Sequence, residues 1–294
     1  MRPSLQSRIF AWILKMFNFK EIVEKRSYKE ISRTKKGFVP KSIKRQYLTN
    51  LETFNAMEIA TFESKKEVTK NHLIFFHGGV YIFEATPSHW RLAEKIVKNS
   101  FCRMTLVDYP LASEHNYEET FTAISGAYEK LINHYPGDNF ILMGDSAGGG
   151  LALAFTQKLI EEKHRKIPAK IVLLSPWLDM TMSNPEIKNQ ESLDYILTVK
   201  MLRNAGMQYS NGDNKNQYLL SPINGELKDI PETIVFYGTE ELFYPDCKRL
   251  KSMIASDKQN IIVKEYQKMQ HDWAIFPIPE SKQVVNEICE FIKE

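Results

Sequence analysis

The sequence predicts an α/β fold: a mostly parallel central sheet flanked by helices. Three observations carry that reading. From residue 72 to the C-terminus, short apolar β-rich runs alternate with longer helix-compatible stretches. Two glycine-rich motifs each begin where such a run ends. A chain of 294 residues with 43% hydrophobic content can bury a large core. Length alone would suggest about two domains, but the unbroken alternation argues for one layered α/β unit over 51–294.

Residues 1–50 stand apart by charge. They hold 13 Lys/Arg against 3 Asp/Glu, a net of +10, whereas residues 51–294 carry −7. The run Ile9-Phe10-Ala11-Trp12-Ile13-Leu14-Lys15-Met16-Phe17 is interrupted by Lys15, and no small-residue cleavage site follows, so a signal peptide is not expected. Two readings remain open for this segment. It is a helix packed on the body of the protein, or a surface helix whose Phe10, Trp12 and Phe17 enter a membrane while basic residues meet anionic lipid. A nucleic-acid arm fits less well, because aromatic residues are not spread among the charges and the body is acidic. No apolar run reaches the roughly 18 residues of a membrane span.

The elements follow in order. Residues 57–62 read as an extra edge strand. Residues 72–76 read as a buried strand that ends in His77-Gly78-Gly79-Val80-Tyr81. A glycine-rich loop there exposes backbone N–H groups, as acyl transfer requires for the oxygen that becomes negative. Gly79, Val80 and Ala147 are the expected donors of an oxyanion hole to which Gly78 gives shape. His77 fits better as a structural histidine tying the loop down than as a base. Residues 103–107 form the next strand, and Asp108-Tyr109-Pro110-Leu111-Ala112-Ser113-Glu114-His115 follows it.

Residues 139–143 lead into Gly144-Asp145-Ser146-Ala147-Gly148, and a helix runs over 151–160. A serine presented on a sharp strand-to-helix turn is the nucleophile of this arrangement. Glycines two residues to either side remove side chains that would collide where strand and helix pass closely. A phosphate loop is the competing reading, but no Lys-Ser/Thr pair follows Gly148-Gly149-Gly150. The next strand, 169–175, ends in Ser175-Pro176-Trp177-Leu178-Asp179. Residues 180–225 then break the rhythm and form a second cap piece, with a short amphipathic helix through Val199, Met201, Leu202 and Met207 that reads as core more readily than as substrate contact. Trp177, Tyr81 and Phe83 adjoin the motifs and are expected to wall a pocket for a small apolar group.

The base and its acid come last. Strand 232–237 ends in Gly238-Thr239-Glu240-Glu241-Leu242-Phe243-Tyr244-Pro245-Asp246. A carboxylate just past that strand can hold the base's other ring N–H. Glu240, Glu241 and Asp246 compete. Glu240 is expected to point away, Asp246 reads as an early helical residue, and Glu241 is the choice. Strand 261–266 is followed by His271, the expected base in the order serine, acid, histidine. Its proton loss near about 6.5 would switch activity on. The other histidines lie inside a strand (His72) or before the acid segment (His89, His115, His134, His164).

Together these motifs resemble the hormone-sensitive-lipase-like branch of the α/β-hydrolases, over about residues 70 to 290. His77-Gly78-Gly79 is similar to that family's His-Gly-Gly-Gly loop. The segment 108–115 is similar to its Asp-Tyr-Arg-Leu-Ala-Pro-Glu-His, Gly144 to Gly149 to its nucleophile motif, and 175–179 to its segment after the next strand. Two positions depart from it. Val80 replaces the third glycine, and a β-branched residue takes positive φ only at a cost. Glu241 stands where the family has Asp. The resemblance implies an α/β-hydrolase fold with residues 1–50 as a helical cap packed on the entrance of the acyl site, and a serine carboxylesterase for short- to medium-chain acyl esters. An amidase or lactonase on the same fold, a binding receptor on an inactive scaffold, and a lipid-surface protein are the alternatives. No metal or cofactor is expected, since neither a Cys/His cluster nor a dinucleotide fingerprint occurs. Cys102, Cys247 and Cys289 are odd in number and widely spaced, which favours free thiols and a cytoplasmic, reducing setting. A small-molecule ester is the expected partner, with no nucleic acid; residues 1–20 are the segment for any membrane-surface contact.

Overall fold

A computed structural model of the chain describes residues 3–28, 38–55, 57–112, 114–257 and 260–293. Residues 1–2 and 29–37 of the expected cap, and Ser113 of the segment 108–115, lie outside the described residues.

The N-terminal part forms three helices, α1 (Leu5–Met16), α2 (Phe19–Ser27) and α3 (Lys41–Gln46). The strands are β1 (Leu48–Phe54), β2 (Met57–Glu63), β3 (Asn71–Phe76), β4 (Arg103–Val107), β5 (Asn139–Asp145), β6 (Lys170–Leu174), β7 (Glu232–Gly238) and β8 (Ile261–Tyr266). The remaining α-helices are α4 (Pro87–Ser100), α5 (Tyr117–His134), α6 (Ala147–Glu161), α7 (Ile187–Gln190), α8 (Val199–Ser210), α9 (Tyr244–Asp257) and α10 (Pro279–Phe291).

The strands form an eight-stranded sheet in the order β1-β2-β4-β3-β5-β6-β7-β8. From β4 to β8 every pairing is parallel, while β1–β2 and β2–β4 are antiparallel. Period-two alternation sends successive side chains to opposite faces. Leu73, Phe75, Ile141, Met143, Val172 and Leu174 face one core layer together with α4 and α10. Ile74, Phe76, Phe140, Leu142, Ile171 and Leu173 face the other, against α5 and α6. Burial on both faces explains why these strands read as continuous apolar runs rather than alternating ones.

Two expectations are corrected here. Residues 57–62 do not form the edge: β2 lies between β1 and β4, and β1 is the outer strand. The sequence analysis missed β1 because its side chains are exposed or half-buried and carry no apolar signature. β1 also runs through the boundary expected between residues 50 and 51.

The winding places the site. The chain moves from β3 outward to β4, then returns to the other side of β3 as β5. Such a reversal leaves a crevice at the carboxyl ends of the two strands. Phe76, the last residue of β3, pairs with Gly144, so the loop at 77–81 meets the turn at Ser146.

Candidate active site

The turn at Ser146 is built by close approach. A Cβ on Gly148 would overlap the carbonyl oxygen of Phe76, and one on Gly144 would overlap the carbonyl oxygen of Gly148. Neither position admits a side chain, which is the physical basis of the glycine spacing. Ser146 itself takes φ 52° and ψ −120°, a strained conformation for a residue with a Cβ. It is held there from both sides: its N–H donates to the Leu174 carbonyl at 2.8 Å, and its carbonyl accepts from the N–H of Trp177 at 2.9 Å.

Three groups distant in sequence meet at this turn. The Ser146 hydroxyl lies 2.9 Å from Nε2 of His271, and Nδ1 of His271 lies 2.8 Å from Oε2 of Glu241. The other Glu241 oxygen accepts the N–H of Gly238 at 2.8 Å. Of the three carboxylates that competed in sequence, Glu241 is therefore the one in contact with His271. Glu240 accepts from the side chain of Gln270, and Asp246, early in α9, accepts from Asn184. Ser146 and His271 are covered to 1% and 2% exposure, so their hydrogen-bond chain is shielded from bulk water.

The loop after β3 was expected to supply donors. Gly79 has φ 126°, and Val80 and Tyr81 sit at φ 51° and 61°. Val80 thus does adopt the left-handed conformation that its branched side chain disfavours, held by the burial of its side chain. Among the described residues, the N–H groups of Gly79, Val80 and Ala147 have no protein acceptor. Gly78, placed in the oxyanion-hole loop for its shape, is not free to donate there: its N–H is committed to Oδ1 of Asp145 at 2.9 Å. Gly78 shapes the loop instead, because a Cβ there would overlap the Asp145 carboxylate. His77 stacks on Tyr109 at 4.6 Å, while the Tyr109 hydroxyl donates to the His77 carbonyl at 2.6 Å.

Sequence reasoning missed a second set of polar residues. Nδ1 of His89 accepts the N–H of Thr86 at 2.8 Å, so Nε2 carries the proton, and it lies 3.0 Å from Oδ2 of Asp145. Burial opposes the Asp145 charge, but His89 and the Gly78 N–H more than offset it and hold the carboxyl below its usual range. One carboxylate therefore ties the donor loop to the strand that carries Ser146. The position of Asp145 beside the serine was the only sequence signal for it. Asp272 was missed as well. Its Oδ2 lies 3.2 Å from Nε2 of His271, on the serine side of the ring. Burial pushes the Asp272 carboxyl up to about 6. Burial also disfavours a charged His271, yet Asp272 and Glu241 outweigh it and raise the imidazole well above its ordinary value. The expected switch near the ordinary value is thus displaced upward.

The expected wall residues are not equally placed. Tyr81 and Trp177 are buried with ring centroids 5.8 Å apart, and Trp177 stacks on Phe243, which meets the His271 ring edge-on at 5.0 Å. Phe83 is half-buried, with the Arg26 guanidinium 5.5 Å above its ring. Tyr209 of α8, unforeseen, stacks on Tyr81 at 3.9 Å. Met207 does not share the buried face of Met201 and Leu202; it is exposed. Phe10 likewise turns inward, 4.8 Å from Phe276.

Residues ahead of α8 are bonded to the loops that carry Glu241 and His271. Asp194 accepts the N–H groups of Ile196, Leu197 and Leu242 at 2.8, 2.8 and 2.9 Å. Gln270 accepts from the N–H of Tyr195 and donates to the Leu193 carbonyl. No group of His, Cys, Asp and Glu side chains suited to a metal ion occurs among the described residues.

Comparison with known proteins follows from this geometry. A family model described as an alpha/beta hydrolase fold matches residues 73–275. An esterase of Acinetobacter venetianus is 29% identical over 234 residues, covering 78% of this chain and 77% of that protein. The esterase LipU of Mycobacterium tuberculosis is 26% identical, covering 77% and 78%. Among solved structures, a Staphylococcus aureus protein proposed to be an esterase superposes with a TM-score of 0.82 at 28% identity, covering 95% of this chain and 92% of that one. A hormone-sensitive lipase from a metagenome library superposes with a TM-score of 0.83 at 24% identity, covering 99% and 98%, and shares the fold.

Proposed function

Because the chain belongs to the α/β-hydrolase family and is a carboxylic ester hydrolase of the esterase/lipase type, we propose that it is a serine carboxylesterase of the hormone-sensitive-lipase-like branch for short- to medium-chain acyl esters, with Ser146, His271 and Glu241 as its triad. In this reading Ser146 attacks the ester carbonyl while Nε2 of His271 takes the hydroxyl proton. Glu241 holds the ring by Nδ1 and stabilises the imidazolium that forms. The N–H groups of Gly79, Val80 and Ala147 receive the negative oxygen. His271 then gives its proton to the leaving alcohol, and water deprotonated by the same ring releases the acid and restores the serine.

The observation that carries this reading is the continuous chain from the Ser146 hydroxyl through His271 to Glu241, at 2.9 and 2.8 Å. The close-packed rings of Tyr81, Trp177 and Phe243 favour a small acyl group over a long one. Helices α1 and α2 and residues 180–225 form the cap in this proposal, supported by the bonds of Lys20 to the Glu191 carbonyl and of Thr198 to Glu24, and by the bonds from 193–197 to the loops of the acid and the base.

The test is a fluorophosphonate probe combined with an acyl series from p-nitrophenyl acetate to palmitate. The probe is expected to label Ser146, and Ser146→Ala to lower turnover of the short esters by at least about 10³-fold, or roughly 4 kcal/mol of transition-state stabilisation. A labelled residue other than Ser146, or an alanine variant with near-normal turnover, rejects the nucleophile. A maximum at palmitate rejects the chain-length assignment.

A further inference from the structure

Helix α1 has two unlike faces. One is docked: the Ser4 N–H and the Ser7 hydroxyl donate to Glu280 at the start of α10, Leu14 is buried, and Phe10 packs on Phe276. The other is apolar and unpartnered. Leu5, Ile9, Trp12 and Met16 recur at helical spacing along it, and Phe17 and Ile22 extend it past the turn into α2; Trp12 is 59% exposed and Phe17 63%. Scattered exposed hydrophobics are ordinary, but a contiguous stripe of large ones marks an interaction surface.

The charges around the stripe select its occupant. α1 contains no acidic residue, and its charged side chains are Arg8 and Lys15. Lys20, Lys25 and Arg26 follow in α2. Of the two acids in α2, Glu24 turns inward to Thr198 and Lys200, and Glu21 is paired with Lys25. The exposed rim is therefore net positive. A second copy of the chain, related by a two-fold axis, would set these cations against their own copies. An anionic bilayer answers both features at once: Trp and Phe seat at the headgroup boundary and the cations meet lipid phosphates. No helix among the described residues is long and apolar enough to cross a membrane, so the contact is with the surface.

We propose that α1 lies in the plane of an anionic lipid surface through the Leu5-Ile9-Trp12-Met16-Phe17 stripe, with Arg8 on the headgroups. The docked face stays on α10, so the body rides on the bilayer without unfolding. Lys15 sits 5.5 Å over the ring of Tyr195, whose N–H is bonded to Gln270, the neighbour of His271. The lipid-facing helix is thus coupled through two contacts to the loop that carries His271.

The test uses the full chain with vesicles of phosphatidylcholine alone or with about a third phosphatidylglycerol. Trp90, Trp177 and Trp273 are buried, so a blue shift of tryptophan emission reports Trp12. The expected result is flotation with the anionic vesicles, a blue shift, and a loss of binding of about fivefold or more when salt is raised tenfold. The double variant Trp12→Glu/Phe17→Glu is expected to bind at least about tenfold more weakly, and Arg8→Glu severalfold more weakly, while far-UV circular dichroism and the urea midpoint stay at the wild-type values and so show both variants folded. Equal binding to neutral and anionic vesicles, undiminished binding by the double variant, or a dimer in sedimentation that this variant dissociates, each overturns the proposal.

Discussion

At the scale of single residues, the proposed mechanism makes the electrostatics around His271 set the working pH. Two carboxylates flank the ring, Glu241 at Nδ1 and Asp272 at Nε2, and the buried Asp194 adds its field. Asp145 and His89 act on the same group through Asp272. A general base works only when neutral, and a raised pKa delays the neutral form to higher pH. The rising limb of kcat/KM is therefore expected on the alkaline side of the ordinary imidazole value, and Asp272→Asn is expected to move it toward acid by removing one stabilising charge; identical pH profiles of the two proteins would refute this. Glu241→Gln should lower kcat by about 10²- to 10⁴-fold, since the amide no longer holds the imidazolium, while Asp246→Asn, whose partner is Asn184, should leave kcat within about threefold. Steady-state kinetics on p-nitrophenyl butyrate separates the two.

At the scale of elements, the machinery is held by carboxylates that do no chemistry. Asp194 gathers backbone N–H groups from its own segment and from the loop after β7, all buried. Asp194→Ala leaves those donors without an acceptor, so a loss of at least about 2 kcal/mol is expected in urea unfolding; a midpoint unchanged from wild type would mean that water replaces the carboxylate. The inner strands were legible in the sequence because they bury both faces, as in β5 and β6, and lose their polar residues as a result, whereas the outer strand β8 was legible from its Ile261-Ile262-Val263 run. β1 was not, because its half-exposed residues intersperse Thr49, Asn50, Glu52 and Thr53 and leave no apolar run like the one that marks β8. The Gly144 and Gly148 spacing was legible for a similar reason: backbone contact leaves no choice of residue. The stacking of Tyr209 on Tyr81 was not, since nothing local in α8 signals which distant ring it will meet.

At the scale of the whole molecule, the cysteines offer a check on packing. Cys102, Cys247 and Cys289 are free and buried, and burial pushes the Cys102 thiol up to about 12. An aromatic disulfide reagent is expected to find essentially no reactive thiol in the native protein and three in denaturant; rapid native labelling would contradict the packing of α4 on α10, where Cys289 approaches the carbonyl of Ile96. The charge asymmetry between the first fifty residues and the remainder was plain from composition, as was the fold class. So were the serine and histidine candidates, because glycine spacing and chain order are local or sequential properties. What only the tertiary structure decided are relations across the crevice: which of three acids meets the imidazole, the commitment of the Gly78 N–H to Asp145, the approach of Asp272 to the serine side of the ring, and which face of α1 is left bare. Each depends on distances between segments far apart in the chain, and those distances are set by the winding of the sheet rather than by any neighbouring residue.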